Sequence, residues 1–122
     1  MAKKTMKNEF DGRWRITWMD QWDQDYVDQE GEGFVEFDPK GLGSFQFGYV
    51  QGQIDYRPAT RDGRPAVEFS WEGGDGADGT PLTGRGWAVL DGDEIYGMIC
   101  IHLGDESEFK ATKVTAKSRR RK

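Results

Sequence analysis

The chain has 122 residues, 35% of them hydrophobic and 13% aromatic, which supplies one modest core and excludes a second. Its 17 glycines against 4 prolines fit a sheet protein with many tight turns and exclude a chain disordered throughout. The formal charge of -5 conceals a division: residues 8–116 carry 9 basic against 22 acidic side chains, a balance of -13 that sets the body against nucleic acid.

The other basic residues, Lys3, Lys4, Lys7, Lys117, Arg119, Arg120, Arg121 and Lys122, lie at the two ends. Residues 1–8 and 117–122 are therefore expected to be disordered basic tails around a single domain at 9–116. The tails can attract phosphate, but no aromatic is interleaved with them.

The first strand is expected over Arg13 to Met19, where Trp14, Ile16 and Trp18 alternate with Arg13, Arg15 and Thr17. Phe10, Trp14, Trp18, Trp22 and Tyr26 also recur at helical spacing, but β-branched Ile16 and Thr17 and the glycine at 12 favour strand. Asp20 to Gln29 reads as a short helix or a long loop. Gly33 to Phe37 forms the second strand, with Asp38-Pro39-Lys40-Gly41 as its turn.

Gly43 to Tyr49 follows with Phe45 and Phe47 on one face. The apolar phase then shifts to Val50, Ile54 and Tyr56, which requires a bulge or turn near residues 48–52. Arg61-Asp62-Gly63-Arg64 signals a hairpin before the alternation of Val67, Phe69 and Trp71. Residues 73–81 read as a glycine and aspartate loop. After it, Arg85, Trp87 and Val89 alternate with Gly86, Ala88 and Leu90 up to a turn at Asp91-Gly92. Glu94 to His102 is apolar on both faces, with Ile95, Ile99 and Ile101 opposite Tyr96, Met98 and Cys100, which hints at a homodimer or another covering partner. Glu108 to Thr115 makes the last strand. The whole predicts an all-β, antiparallel up-and-down meander closing into a roughly eight-stranded barrel, since closure removes exposed sheet edges.

Gly12 and Trp14, a Gly-x-Trp at the start of the first strand, resemble the opening of the calycin barrels, which include lipocalins, fatty-acid-binding proteins and avidins. The resemblance implies that Trp14 closes one barrel end beneath a basic side chain from near the last strand, a role open to Lys110 or Lys113. Phe45-Gln46-Phe47-Gly48, Ser70-Trp71-Glu72-Gly73, Gly84-Arg85-Gly86-Trp87 and His102-Leu103-Gly104-Asp105 also resemble a family of small uncharacterised bacterial proteins. That likeness covers most of residues 10–112 and implies a shared fold without an activity.

Several segments invite a chemical reading and a plainer one. Gly73-Gly74-Asp75-Gly76-Ala77-Asp78 matches one calcium-binding repeat unit, but such sites need tandem copies, so a hairpin loop is favoured. Asp20, Asp23, Asp25, Asp28, Glu30 and Glu32 crowd around Trp22 and Tyr26 in a spacing no EF-hand allows, which favours an acidic lid over one mouth with a basic protein surface as its partner. His102 is the single histidine and Cys100 the single cysteine, so no intrachain disulfide and no cysteine-built zinc cage arises from this chain. A reducing, cytoplasmic location, a soluble chain without a membrane span and no cofactor are expected.

Asp55, Glu68 and Glu72 with Tyr56 make the one acid/base set, although alternation points the carboxylates away from the phenol. About ten inward rings leave a barrel of this size little room for a ligand. Any cavity would open at a mouth lined by Tyr49, Gln51, Arg85 and Trp87, near Trp22 and Tyr26 of the acidic segment. The expectation is a non-enzymatic binding module for a small apolar ligand or a protein partner at that mouth. The alternative is a barrel enzyme using Asp or Glu with Tyr on an apolar substrate.

Overall fold

Eight antiparallel strands in sequential order close into a barrel, with the last paired to the first. The computed structural model describes residues 9–115, so both expected tails lie outside the described residues. The strands are β1 (Gly12–Met19), β2 (Phe34–Phe37), β3 (Leu42–Phe47), β4 (Val50–Arg61), β5 (Arg64–Asp75), β6 (Thr80–Asp91), β7 (Glu94–Ile101) and β8 (Glu106–Lys113). One short helix, α1 (Gln24–Val27), follows β1.

Turn chemistry sets the register. Asp62 and Gly63 both take positive φ, 53° and 75°, the two-residue geometry whose twist matches the strands it joins, and it aligns Arg61 with Arg64. The phase change expected near residues 48–52 is a tight turn, with Phe47 paired to Val50 across residues 48 and 49. The expected loop at 73–81 is shorter than its composition suggests. β5 runs on to Asp75 and pairs with Thr80, because β4 continues beside it and supplies a ladder partner for each added residue. A Cβ on Gly73 would stand 1.9 Å from the Gln51 carbonyl oxygen, so that close pairing demands glycine.

The first strand departs from strict alternation. Ile16 pairs with Ala111 and Trp18 with Lys110, leaving Thr17 as an extra residue in a bulge. The bulge reverses the phase: Trp18, expected inside, is 40% exposed, and Met19 turns inward at 3%. Trp87 likewise lies on the outer face, while Gly86 and Ala88 face inward. Rings from β5 explain the swap, since a Cβ on Gly86 would lie 2.4 Å from Phe69 and one on Gly84 2.7 Å from Trp71. β6 can only present its smallest residues to an interior those rings already occupy.

Ring contacts run the length of the barrel. Phe10 meets Phe37 at 5.9 Å, and Phe37 meets Tyr56 at 4.9 Å and Phe69 at 6.4 Å. Further along, Trp71 meets Phe45 edge-on at 4.9 Å, Phe45 stacks with Phe47 at 5.8 Å, and Phe47 meets Trp22 at 4.8 Å. Trp14 closes the end that holds Phe10 and Lys113, its indole N–H donating to the Phe10 carbonyl at 2.9 Å. Of the two lysines expected above it, Lys113 takes the place at 4.6 Å from the ring centroid and donates to the Asp11 carbonyl. Lys110 stands over Trp18 instead. Burial lowers the Lys113 pKa below the ordinary lysine value, and the Asp11 carboxylate opposes that shift.

Candidate binding surfaces

The barrel interior is the first place to look for chemistry. Among the described residues Ser107 is the one buried polar side chain; its hydroxyl accepts from the Gln21 amide and has the Asp20 carboxylate and the Glu108 carbonyl as acceptors, each at 2.9 Å. Asp55, Glu68 and Glu72 are exposed on the outer face, and the inward Tyr56 hydroxyl is spent on the Asp38 carbonyl. The carboxylates and the phenol of the acid/base set thus lie on opposite sides of one sheet. No group of three or more His, Cys, Asp or Glu side chains among the described residues is arranged to hold a metal.

The mouth opposite Trp14 is capped by the segment that joins β1 to β2. Trp22 covers Phe47, and Tyr26 lies 6.3 Å from both Trp22 and Tyr49. The Tyr26 hydroxyl accepts from the Tyr49 amide at 3.3 Å. Gly48 makes this seat possible: its φ is +58°, and a Cβ there would stand 2.2 Å from the Tyr26 ring.

Most carboxylates of the acidic segment serve this cap. Asp23 accepts from the Tyr26 amide at the start of α1, and Asp20 accepts from the Glu108 amide at 2.6 Å. Asp28 accepts two bonds from Arg15, at 3.0 and 3.2 Å, and others from Gln24 and the Gly33 amide. Partial burial works against ionisation of Asp28, yet the bonds from Gly33, Arg15 and Gln24 outweigh it and hold its pKa below the ordinary carboxylate value. Glu32 lies 3.5 Å from the same guanidinium, which leaves Asp25 and Glu30 facing solvent.

The outer wall of β4–β7 carries an open cleft of about 550 Å³. Cross-strand register places Asp55, Ser70, Arg85, Cys100 and Glu106 in one row, and Arg57, Glu68, Trp87 and Met98 in the next. Arg61 reaches across from β4 to lay its guanidinium 3.7 Å from the Trp87 ring centroid. Burial pushes the Cys100 thiol up, Glu106 adds to the shift and Arg85 opposes it, so the sulfur at this wall is a neutral thiol at neutral pH.

The six residues expected at one mouth therefore sort into three places. Trp22, Tyr26 and Tyr49 form the cap, Arg85 and Trp87 belong to the outer cleft, and Gln51 lines a separate, glycine-floored depression of about 510 Å³ with Gln53, Gly74 and Pro81. Arg57 and Arg61 are the basic cleft residues that sequence reasoning missed. Their placement was open to inference, because the hairpin at 62–63 fixes their parity as outward. The isolated calcium-like loop holds itself together, with Asp75 accepting from the Ala77 amide and Asp78 from the Thr80 amide. His102 is exposed at the turn after β7.

No family model, curated protein or solved structure matches the chain. The calycin likeness rests on geometry: a closed eight-stranded meander, with a tryptophan near the start of the first strand lying beneath a lysine at the end of the last.

Proposed function

We propose that the protein is a non-enzymatic binding module that recognises its ligand on the outer wall of β4–β7, at the cleft around Arg85 and Trp87. The distribution of ion pairs carries this reading. Arg13, Arg15 and Arg64 each pair with a carboxylate, at 2.8, 3.0 and 3.0 Å. Arg57, Arg61 and Arg85 converge on one cleft, and among the described residues none of them makes an ion pair. Guanidinium groups left without a carboxylate partner on an otherwise acidic body are available to an incoming acceptor.

A ligand inside the barrel has the ring column against it, and the capped mouth offers no direct entry. An acid/base enzyme lacks support because its carboxylates face solvent on the outside of the sheet.

The five tryptophans supply the test, since each indole N–H gives its own signal in a nitrogen-correlated proton spectrum. A mixed set of anionic, neutral and cationic fragments should move the Trp87 signal in a saturable way and leave Trp14 and Trp71 in place. Shifts confined to Trp14 and Trp71, or no response at Trp87, would overturn the reading.

A further inference from the structure

We infer that the outer cleft takes a small molecule joining a planar ring to one anionic group, chemistry of the nucleoside monophosphate kind; this rests on the binding role proposed above. Arg85 on β6 sits directly opposite Ser70, and Arg57 on β4 directly opposite Glu68. Strands lie about 4.8 Å apart and the rows of the two arginines are two residues apart, about 6.7 Å, so the arginines stand about 12 Å apart on a diagonal across the sheet, within the combined reach of two long side chains turned toward one anion. The hydroxyl of Ser70 lies between them as a further donor.

Arg61 and Trp87 supply the ring subsite. One side of the guanidinium rests on the indole, and Arg61 is exposed, so its other side offers a flat cationic surface for a planar heterocycle. Three carboxylates of the cleft balance its three arginines: Asp55 and Glu106 end the row that holds Arg85, and Glu68 stands on β5 between Arg57 and Trp87. That balance sets an upper limit on ligand charge: a polyanion meets these carboxylates and an acidic body, whereas a single anionic group on the Ser70 side of Glu68 meets Arg57 and Arg85. The carboxylates also accept from the amino and hydroxyl donors of a nucleoside. A volume of about 550 Å³ suits a small molecule.

The test is a titration of the whole protein with adenosine 5′-monophosphate, adenosine and inorganic phosphate, read at the Trp87 indole signal. The monophosphate should give saturable shifts, with adenosine and phosphate each at least about tenfold weaker, because each keeps only half of the contacts. Arg57→Ala and Arg85→Ala should each weaken the monophosphate about tenfold, the loss of a charge-assisted bond, with the Trp14 and Trp71 signals unmoved.

Equal affinity for the monophosphate and phosphate, or for the monophosphate and adenosine, would overturn the two-part ligand. A Trp87 response to cationic or neutral fragments but not to the monophosphate would overturn this chemistry and leave the binding role standing. Silence of Trp87 to every probe would overturn both.

Discussion

Replacing Phe45 with alanine should be among the most damaging single changes, because the ring stands in the middle of the interior column. It is 1% exposed, stacks on Phe47 at 5.8 Å and meets Trp71 edge-on at 4.9 Å. Truncating a fully packed phenylalanine costs about 3–5 kcal/mol, the lost transfer free energy plus the cavity left behind. In a domain of this size that corresponds to a fall in melting temperature of about 10–20 °C. Gly52 gives an internal control, since a Cβ there would stand 2.5 Å from the Phe45 ring and 2.8 Å from Trp71. Gly52→Ala alone should cost about 1–3 kcal/mol through overpacking. In the Phe45→Ala background part of that cost disappears, because the added methyl then fills space the ring vacated. Denaturant unfolding of the four proteins in the cycle reads the result. A Phe45→Ala loss below about 1 kcal/mol, or strictly additive substitutions, would refute a filled interior.

Asp28→Asn should lose about 1–2 kcal/mol at pH 7, a charge-assisted network discounted for a side chain that is 25% exposed. Because the folded pKa of Asp28 lies below its unfolded value of about 3.8, its contribution is complete above that value and is lost as the pH falls through the folded pKa. The gap between wild type and variant in urea unfolding should therefore narrow at pH 3 and below. Gly48→Ala should cost at least about 1–2 kcal/mol for its left-handed backbone alone. It should also push Tyr26 off its seat, seen as a red shift in Trp22 emission with the other tryptophans replaced by phenylalanine.

The eight strands were legible because alternation and turn residues agree along most of the chain. Thr17 was not legible as a bulge, since the apolar pattern runs unbroken through Trp18 to Met19 and only pairing with β8 decides between them. The same bulge separates the two lysines, placing Lys113 opposite Trp14 and Lys110 opposite Trp18. Residues 73–75 and 80–82 carry a loop's composition, but strand extension there depends on β4, a long-range partner that local pattern does not reveal.

The outer cleft was half legible. Arg85 and Trp87 were expected together at a barrel mouth, and only Phe69 and Trp71 filling the space opposite β6 turns the Trp87 ring outward onto the wall. Arg61 meets Trp87 across an intervening strand, a contact no sequence spacing announces.

The central claim is that the barrel is filled and that recognition belongs to its outside. Titration with a twelve-carbon fatty acid, read at the Trp14 and Trp71 indole signals, tests it most directly, because both rings are buried in the interior and an apolar guest would have to displace their neighbours. Unmoved signals and an unchanged melting temperature up to the ligand's solubility limit are predicted. A saturable shift at either indole, accompanied by a rise in melting temperature, would contradict the account.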